Sequence, residues 1–401
     1  MAEPSPDIFP FHLRREDFGT PSRLYARRRQ ECPLGTIRLP SGDLAHMVMD
    51  YNDAAFVLRD RRFSRNFRHP GAPRMVADGD MSQVADSIVN VDPPEHARLR
   101  RTIQGAFKPS QVETWRPIVQ HVVAGLLDQL ASAGPPADLV ATYTSLLPIS
   151  VMCELLEVPP QDKKRLISWT GVFFSTSSAS LQERAAANGE FMAYTRELAT
   201  SRRANPGHSL IDSLIASRDI DGVLSEGELL QMIMAMFIGG QENTSATLAR
   251  GIFTLLRHHE QYEALCADPE LVDGAVEEIL RFDLPSEGAF LRVATEDVEL
   301  AAGAIGKGSA VQVSLAAANR DRSCFADPDR FDIRRAPNPH LAFGAGAHFC
   351  VGAHLARLEL QTALRALATR FPGLRLATEV SQARYAQDTL VRALHALRVT
   401  W

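Results

Sequence analysis

The sequence predicts a mainly α-helical protein with small β-sheets. Apolar residues recur with helical spacing from about Pro94 to Leu284, in segments separated by turn signals such as GPPAD and ANPGH. Runs typical of strands are short and lie near the ends of the chain: GTIRLP and AHMVMD early, and VATEDVEL, SAVQVSL and LVRALHALRVT late. No fixed-period repeat, low-complexity tract or long Gly, Ser or Pro linker interrupts the 401 residues, which predicts a single domain over residues 1–401.

Composition and charge exclude several classes of protein. A hydrophobic content of 45% is sufficient for a large core, and a net charge of -5 gives no basic field of the kind that nucleic-acid-binding proteins carry. The N-terminal residues lack the cationic start and apolar core of a secretory signal. The longest apolar run, Leu229 to Ile238, is shorter than the ~20 residues that span a bilayer. We therefore expect a cytoplasmic protein with no nucleic-acid partner and no membrane segment.

Two helix starts are well marked. In VDPPEHARLRR, Asp92 is the expected N-cap, and Glu95 stands three residues later as in a capping box. In LSEGELLQ, Ser225 and Glu228 repeat that spacing. The second helix is predicted to run from Glu226 to about His258, roughly 50 Å at 1.5 Å per residue, which is long enough to cross the molecule.

The centre of this long helix contains an unusual polar segment, GGQENTS, between two apolar runs. A glycine inside a helix costs about 1 kcal/mol relative to alanine, so Gly239 and Gly240 in succession suggest a compensating purpose. A carboxylate in the middle of a buried helix is costly unless it is paired or linked to water. Glu242 is therefore a candidate for proton transfer and not for packing.

One of the five cysteines differs from the others. The odd number, wide scatter and lack of a CxxC pair predict neither a disulfide framework nor a structural zinc site. Cys350, however, follows Gly344 and precedes Gly352 at the start of an amphipathic helix, where free N–H groups and the helix dipole favour a thiolate. Such a lone thiolate suits a metal whose other ligands come from elsewhere, as in heme, although spacing alone is equally typical of a buried structural cysteine.

The residues from Phe343 to Arg357 follow the pattern Phe-Gly-x-Gly-x-His-x-Cys-x-Gly-x-x-Leu-Ala-Arg. This pattern closely resembles the heme-binding loop of cytochrome P-450 monooxygenases, and further landmarks extend the resemblance from about Phe18 to Trp401. It implies the cytochrome P-450 fold, with heme b (iron protoporphyrin IX) between a long central helix and the loop that carries the ligand. Cys350 would then be the axial ligand of the heme iron. Residues matching Phe343, Gly344 and Gly352 would surround the cofactor.

A second landmark is EEILR, which resembles the Glu-x-x-Arg element of the family. Glu278 and Arg281 are three residues apart, so they share a helix face and can form an ion pair. A surface pair of little energetic value is the alternative interpretation. The resemblance implies instead a buried structural cluster with Arg335, which would fix the segment that leads to Cys350.

Four basic residues match family positions that contact the heme propionates. His96 and Arg100 lie four residues apart on one helix face, and Arg292 and His348 come from later segments. Taken alone, the first pair more often marks a solvated helix face. Two propionates inside a protein require cationic, hydrogen-bonding partners, which agrees with the roles that the resemblance implies.

The GGQENTS segment resembles the family motif where dioxygen binds, with one departure. Gly239 and Gly240 match the small residues that make room for oxygen, and Glu242 matches the acid that relays protons. Where the family usually has a threonine, this chain has Asn243, and the ~100° turn per residue is expected to direct the Thr244 hydroxyl elsewhere.

Three accounts of Asn243 remain open. Its amide can hold the oxygen ligand or a water by both donating and accepting hydrogen bonds. Alternatively, the substrate contributes its own hydroxyl to the relay. In the third account the natural reaction needs less ordinary proton delivery, as in radical coupling or ring closure.

The resemblance also indicates which residues line the substrate pocket. They are Ala235, Ile238, Gly288, Ala289 and Leu390, together with the loop from Pro73 to Asn90. Several are small, which predicts a roomy pocket for a bulky hydrophobic molecule, although small residues also serve close packing. The composition, rich in arginine and poor in lysine, looks like that of bacterial members that tailor natural products such as macrolides, terpenes and peptides.

The expected electron donors are a ferredoxin and an NAD(P)H-dependent ferredoxin reductase, because no flavin or nicotinamide domain fits in the chain. A basic docking patch on the Cys350 side would suit an acidic ferredoxin, with a solvated charged face as the alternative. The arginines near that side are Arg62, Arg65, Arg100, Arg101 and Arg357.

The sequence therefore predicts a heme-dependent monooxygenase that uses O2 to hydroxylate or epoxidise a hydrophobic secondary metabolite. The alternative enzyme is a heme-thiolate oxidase that couples or cyclises substrate radicals without inserting oxygen. A non-enzymatic relative that only assists another tailoring enzyme could discard its thiolate, and the complete motif around Cys350 argues against it.

Overall fold

A computed structural model describes residues 7–8, 23–69, 72–74, 87–175, 179–286, 291–386 and 389–401. Helices dominate these ranges. The helices are α1 (Arg23–Glu31), α2 (Tyr51–Arg59), α3 (Glu95–Ile103), α4 (Pro109–Glu113), α5 (Arg116–Ala133), α6 (Leu146–Leu155), α7 (Lys163–Phe174), α8 (Leu181–Ala204), α9 (Leu210–Asp219), α10 (Glu226–Arg257), α11 (His259–Ala267), α12 (Val272–Phe282), α13 (Leu315–Ala318) and α14 (Ala353–Arg370).

The strands are short and form three sheets. They are β1 (Asp7–Ile8), β2 (Leu34–Arg38), β3 (Leu44–Val48), β4 (Phe63–Ser64), β5 (Ala137–Asp138), β6 (Leu291–Ala294), β7 (Val298–Leu300), β8 (Gly303–Ile305), β9 (Ala310–Val313), β10 (Arg375–Leu376) and β11 (Arg398–Thr400). The largest sheet has the order β1-β2-β3-β9-β6-β4, the second β10-β11-β5, and β7 pairs with β8. In the largest sheet the β2–β3 hairpin is antiparallel, and β3 runs parallel to β9 with His46 opposite Val311. This sheet joins early and late parts of the chain.

Three of the five predicted strand segments contain one strand each, whereas VATEDVEL contains the end of β6 and all of β7, which belong to different sheets, and the last segment is mostly not a strand. Only the end of LVRALHALRVT, Arg398–Thr400, forms a strand, antiparallel to both β10 and β5. The residues before it make isolated bridges, such as Val391 with Ser286, which tie the C-terminal region to the end of α12. The apolar residues there are divided between two hydrophobic clusters, because Leu390 packs with residues of the largest sheet and Leu394 and Leu397 pack in the main core.

Helix α10 forms the axis of the helical part, packed against α6, α7, α8, α9, α11, α12 and α14. The predicted capping box is present. The Ser225 hydroxyl accepts a hydrogen bond from the Glu228 backbone N–H, and the Glu228 carboxylate accepts one from the Ser225 N–H at 2.8 Å. With 32 residues the helix is about 48 Å long and ends at Arg257. Among the described helices, none is both long and apolar enough to cross a membrane.

The start of α3 differs from the prediction. The helix begins at Glu95, and no side-chain hydrogen bond caps it. The Asp92 carboxylate instead accepts hydrogen bonds from the Ser64 hydroxyl and, at 2.8 Å, from the Arg65 backbone N–H. Asp92 therefore ties β4 to the turn before α3, because a tertiary contact competes successfully for the capping side chain.

Candidate active site

A cavity of about 410 Å³ lies between α10 and the segment that contains Cys350. Residues of α3, α6, α12 and α14 complete its wall. Most of the lining side chains are apolar. The polar ones include basic groups from α3, β6 and the segment around Cys350, polar groups from the middle of α10, and Glu359 of α14. A large apolar cavity with a few converging polar groups is the usual form of a ligand site.

The Cys350 segment reaches the cavity through a tight backbone path. Gly344 and Gly346 have φ values of 71° and 72°, a region that side chains other than glycine rarely adopt. A Cβ atom on Gly346 would lie 2.5 Å from the carbonyl oxygen of Leu58 on α2, so close backbone approach also requires glycine there. The Cys350 N–H donates to the Phe343 carbonyl oxygen at 2.9 Å, which closes the loop.

Cys350 lines the cavity, and its surface is exposed there. Burial raises its pKa, while a hydrogen bond from the Gly352 N–H and the charges of Arg100 and Arg357 act in the opposite direction. A thiolate here thus depends on positive charge, either from these groups or from a bound metal.

Basic side chains meet at one end of the cavity, and the charge of Asp92 acts on two of them, His96 and Arg292. Arg292 is 3% exposed and, among the described residues, makes no ion pair; its guanidinium donates to the Leu291 carbonyl oxygen at 2.9 Å. Burial, followed by the charge of Arg65, lowers its pKa well below the ordinary value. Buried cations of this kind require an anionic partner.

Two histidines join this basic group. The rings of His96 and His348 stand 4.1 Å apart, and Nε2 of His348 is buried with no hydrogen-bond partner in the described chain. Burial first, and then the charge of Arg292, lowers the pKa of His348 to about 2. Arg100 also lines the cavity and donates to the Ala347 carbonyl oxygen at 3.2 Å. The region is suited to a ligand that carries carboxylates.

The two glycines of α10 differ in their surroundings. A Cβ atom on Gly239 would meet nothing within 4 Å, whereas one on Gly240 would lie 3.1 Å from Sδ of Met152 on α6. Gly239 therefore leaves open space in the cavity, and Gly240 allows α6 to pack closely.

The polar residues that follow also reach the cavity. Asn243 lines it, and its side-chain oxygen is buried with no hydrogen-bond partner in the described ranges. Its backbone carbonyl accepts the Thr247 hydroxyl at 2.7 Å. Thr244, expected to face elsewhere, also contributes to the cavity wall, because the cavity is wide enough to meet adjacent positions of the helix.

Comparison with known proteins agrees with this geometry. A family model for cytochrome P450 matches residues 165–375. Nocardicin C N-oxygenase of Nocardia uniformis subsp. tsuyamanensis is 44% identical over 97% of this chain and 98% of its own length. The chain belongs to the cytochrome P450 family. The mycinamicin IV hydroxylase/epoxidase of Micromonospora griseorubida is 39% identical, covering 94% of each chain.

Solved structures share the fold of this chain, among them one of a cytochrome P450 hydroxylase. The putative thioether synthase SgvP, of the griseoviridin tailoring step, superimposes with a TM-score of 0.94 at 35% identity over 99% of this chain and 100% of its own. The LnmA hydroxylase of Streptomyces atroolivaceus S-140, from the leinamycin pathway, gives 0.89 at 38% identity over 98% and 100%. The predicted family, fold class and monooxygenase class are confirmed, and membership implies a heme iron.

The residues around the cavity of this cytochrome P450 fit a heme. A thiol on one wall can supply an iron ligand, the glycine-rich loop permits close approach of a flat molecule, and the basic group can receive two carboxylates. Of the predicted cofactor contacts, Cys350, His96, Arg100, Arg292, His348, Phe343 and Gly352 line the cavity, whereas Gly344 shapes the loop behind it.

The carboxyl group on the cavity wall of this cytochrome P450 is not the predicted one. Glu242 is half-buried, and burial raises its pKa, but it is not among the described residues that line the cavity. Glu359 on α14 does line it; burial raises its pKa well above the ordinary value, and its Oε2 has no hydrogen-bond partner in the described chain. The available signal was a charged residue between Leu358 and Leu360, at a position where the helix is otherwise apolar.

The predicted substrate residues are only partly on the wall. Ala235 lines the cavity, but Ile238 packs against the main hydrophobic core instead. Leu390 packs in the cluster around Tyr25, and its N–H donates to the Phe174 carbonyl oxygen, so its placement in the pocket is wrong in this structure. The remaining predicted positions, Gly288, Ala289 and most of the loop from Pro73 to Asn90, lie outside the described residues.

Several apolar wall residues were missed. Met152, Met232, Met236, Leu280 and Leu284 come from α6, α10 and the end of α12. Nothing local distinguishes them from core residues, since only the assembled helices determine which apolar side chains border a void.

The Glu-x-x-Arg cluster is buried. Glu278 accepts two hydrogen bonds of 2.8 Å from the Arg281 guanidinium, and Arg335 Nε lies 3.1 Å from the same carboxylate. Arg281 also donates to the carbonyl oxygens of Asn319 and Pro328, at 3.0 and 2.8 Å. The cluster connects α12 to the chain that leads into the Cys350 segment.

The arginines predicted to form a docking patch are not equivalent. Arg101 is exposed, and Arg62 pairs with Asp60 at 2.7 Å. Arg65 is buried against the cavity, and Arg357 is held in an ion pair with Glu277. Of these arginines, exposed Arg101 is the one best placed to contact a partner, and the docking patch itself stays a prediction.

Proposed function

We propose that this cytochrome P450 tailors a natural product, inserting one oxygen atom from O2 into a bulky hydrophobic small molecule. The main support for this proposal is the large cavity between α10 and the Cys350 segment, which is apolar on most sides. Relatives bear names of N-oxygenation, hydroxylation and epoxidation of secondary metabolites, and these reaction types define the range of expected products. One heme-binding domain over residues 1–401 is part of the proposal.

The proposed cofactor is heme b, with Cys350 as the ligand of its iron. His96, Arg100, Arg292 and His348 would receive the two propionates, which supplies the anion that buried Arg292 requires. When bound, the heme would activate dioxygen in a reaction that takes up two electrons. Arg100, Arg357 and the Gly352 N–H favour the thiolate form of Cys350 against the effect of burial.

We assign proton handling to the residues on the α10 side. Gly239 leaves space for dioxygen, and the unpaired oxygen of Asn243 can accept a hydrogen bond from a water beside it. Burial raises the pKa of Glu359 well above its ordinary value, which favours the protonated carboxyl, and that form can donate a hydrogen bond into the cavity. Glu242, whose pKa is also raised, would pass protons from outside the cavity wall. The substrate hydroxyl and unusual chemistry remain alternative explanations for Asn243.

We further propose that electrons come from a separate acidic ferredoxin, reduced by an NAD(P)H-dependent reductase. Arg101, exposed at the end of α3 near Arg100, is a candidate contact. Radical coupling is the second candidate reaction; a cytochrome P450 described as having biaryl coupling reactivity shares the fold with a TM-score of 0.88 at 37% identity. The names of the relatives favour oxygen insertion.

The first test is a titration of the heme-loaded protein with macrolides, terpenes, cyclic peptides and aromatic amino acids, followed through the heme absorption band. One class is expected to convert low-spin to high-spin heme, because a substrate displaces water from the iron. Turnover of that class under isotopically labelled dioxygen is expected to place one labelled atom in the product.

Two results would count against the proposal. Unlabelled product would support coupling or cyclisation instead of oxygen insertion. If the Cys350→Ser variant keeps the thiolate signature of the unaltered protein, Cys350 is not the ligand of the iron.

A further inference from the structure

Helix α12 carries two consecutive carboxylates that engage the Cys350 segment on different sides. Glu278 belongs to the buried cluster with Arg281 described above. Glu277 instead contacts His340, ten residues before Cys350, and Arg357, seven residues after it. One side chain thus bridges both flanks of the segment, defined here as residues 340–357.

The Glu277 contacts have well-aligned geometry. Arg357 donates from Nε to Oε1 at 2.6 Å and from a terminal nitrogen to Oε2 at 2.8 Å, a bidentate pair. Nε2 of His340 lies 3.0 Å from Oε2. Since Nδ1 of His340 accepts the Ala342 N–H at 3.2 Å, the proton of a neutral ring must be on Nε2, which donates to Glu277.

The contacts of Glu277 stabilise its ionised form. Burial would raise the pKa of Glu277, but hydrogen bonds from Arg357 and His340 outweigh it and lower the pKa to about 2. The side chain of His340 is only 3% exposed, and those of Glu277 and Arg357 are 29% and 26% exposed. The pair is therefore partly shielded from solvent, unlike an ordinary surface ion pair.

The cation held by Glu277 lies next to the residue that closes the loop. The Arg357 guanidinium carbon is 4.5 Å from the centre of the Phe343 ring. The carbonyl oxygen of Phe343 accepts the Cys350 N–H, and its side chain lines the cavity. Arg357 therefore lies beside the residue whose carbonyl oxygen holds the Cys350 N–H.

We propose that Glu277 is a positioning residue that clamps both flanks of the Cys350 segment and holds the Arg357 charge over Phe343, and thereby sets the electrostatic potential at Cys350. The proposal rests on the proposed function in one respect, that Cys350 ligates the heme iron. Adding an electron to the iron is favoured by nearby positive charge and opposed by nearby negative charge. Glu277 and Arg357 should therefore shift the reduction potential in opposite directions.

The test compares the reduction potentials of heme-loaded Glu277→Gln, Arg357→Gln and the double variant, without substrate. Glu277→Gln should raise the potential, Arg357→Gln should lower it, and the double variant should lie between them. The matched control is Glu270→Gln. This variant removes the 2.7 Å ion pair between Glu270 and Arg365. Arg365 lies on α14, as Arg357 does, but this ion pair is exposed, so the reduction potential should stay unchanged.

Equal potentials, or shifts of the same sign in the two single variants, would overturn the proposal, because a merely structural clamp would not produce opposite signs. If Glu277→Gln binds no heme, Arg357→Lys decides. An electrostatic role is supported if Arg357→Lys has the reduction potential of the unaltered protein while Arg357→Gln has a lower one. Equal potentials in Arg357→Lys and Arg357→Gln refute that role. Failure of the proposed function is distinguishable, since the unaltered protein would then lack the thiolate-type spectrum of its ferrous carbon monoxide complex.

Discussion

Replacing Asn243 by alanine should separate stability from function in this cytochrome P450. The side-chain oxygen of Asn243 is buried without a hydrogen-bond partner among the described residues, so alanine breaks no hydrogen bond to another described side chain or backbone group. Alanine is also the better helix former by roughly 0.5 kcal/mol. Loss of packing around a half-buried side chain offsets part of the gain. The free energy of unfolding should therefore not fall.

Function should respond differently, because Asn243 lies on the cavity wall beside Gly239. Without its amide, a water near the bound dioxygen loses a partner, and more electrons should be lost to hydrogen peroxide. The assay measures product formed and peroxide released per NAD(P)H oxidised, using the substrate found by spin-state titration, together with heme content and denaturant unfolding.

Ser245→Ala is the matched control. Ser245 lies two residues further along α10, is half-buried and is not among the described residues that line the cavity. Alanine there gives a similar gain in helix propensity without changing the cavity. Unchanged product yield per electron in Asn243→Ala would refute a role in proton delivery, and a large loss of stability would refute the claim that its oxygen is unsatisfied.

Three further outcomes are expected. Gly346→Ala should lower stability by about 1–2 kcal/mol or more and reduce heme retention, because φ is 72° and the new Cβ would lie 2.5 Å from the Leu58 carbonyl oxygen; normal heme content and unfolding would contradict this. Arg281→Met should cost about 3–5 kcal/mol in chemical unfolding, since it leaves the buried Glu278 carboxylate short of a cation, and a loss below 1 kcal/mol would show that the remaining contacts suffice. Burial raises the pKa of Glu359 well above 4.5, so the folded protein keeps a proton that the unfolded chain releases. This contribution to stability is complete below pH 4.5 and is lost as pH rises from there towards the folded pKa, by up to about 1.4 kcal/mol per pH unit. Glu359→Gln should flatten that dependence above pH 4.5, and parallel curves for the two proteins would exclude a raised pKa at Glu359.

Glu242 and Glu359 occupy different positions relative to the cavity. Glu242 stands on the central helix, where the family resemblance predicts an acid, but outside the wall. Glu359 stands on the wall, in the helix that follows Cys350. Asn243, whose side-chain oxygen is buried on the cavity wall, is a candidate member of a proton route from either group.

Much of the framework could be predicted from local sequence. The Ser225 capping box fixes the start of α10 because its two hydrogen bonds are formed within one turn. The glycine pattern around Cys350 identifies a loop with positive φ values for the same reason, since backbone sterics depend on the residue itself. The Glu278 and Arg281 pair follows from helical spacing.

The sequence by itself therefore determined the family, the mainly helical fold, the central helix and the cysteine segment. Only the tertiary structure decided that Glu359 and not Glu242 borders the cavity, that Leu390 lies away from it, and that Glu277 holds Arg357. The physical reason is distance along the chain. Periodicity fixes which side chains share a face, but the rotation of each helix is set by packing against partners far away in sequence, and that rotation selects the side chains that meet.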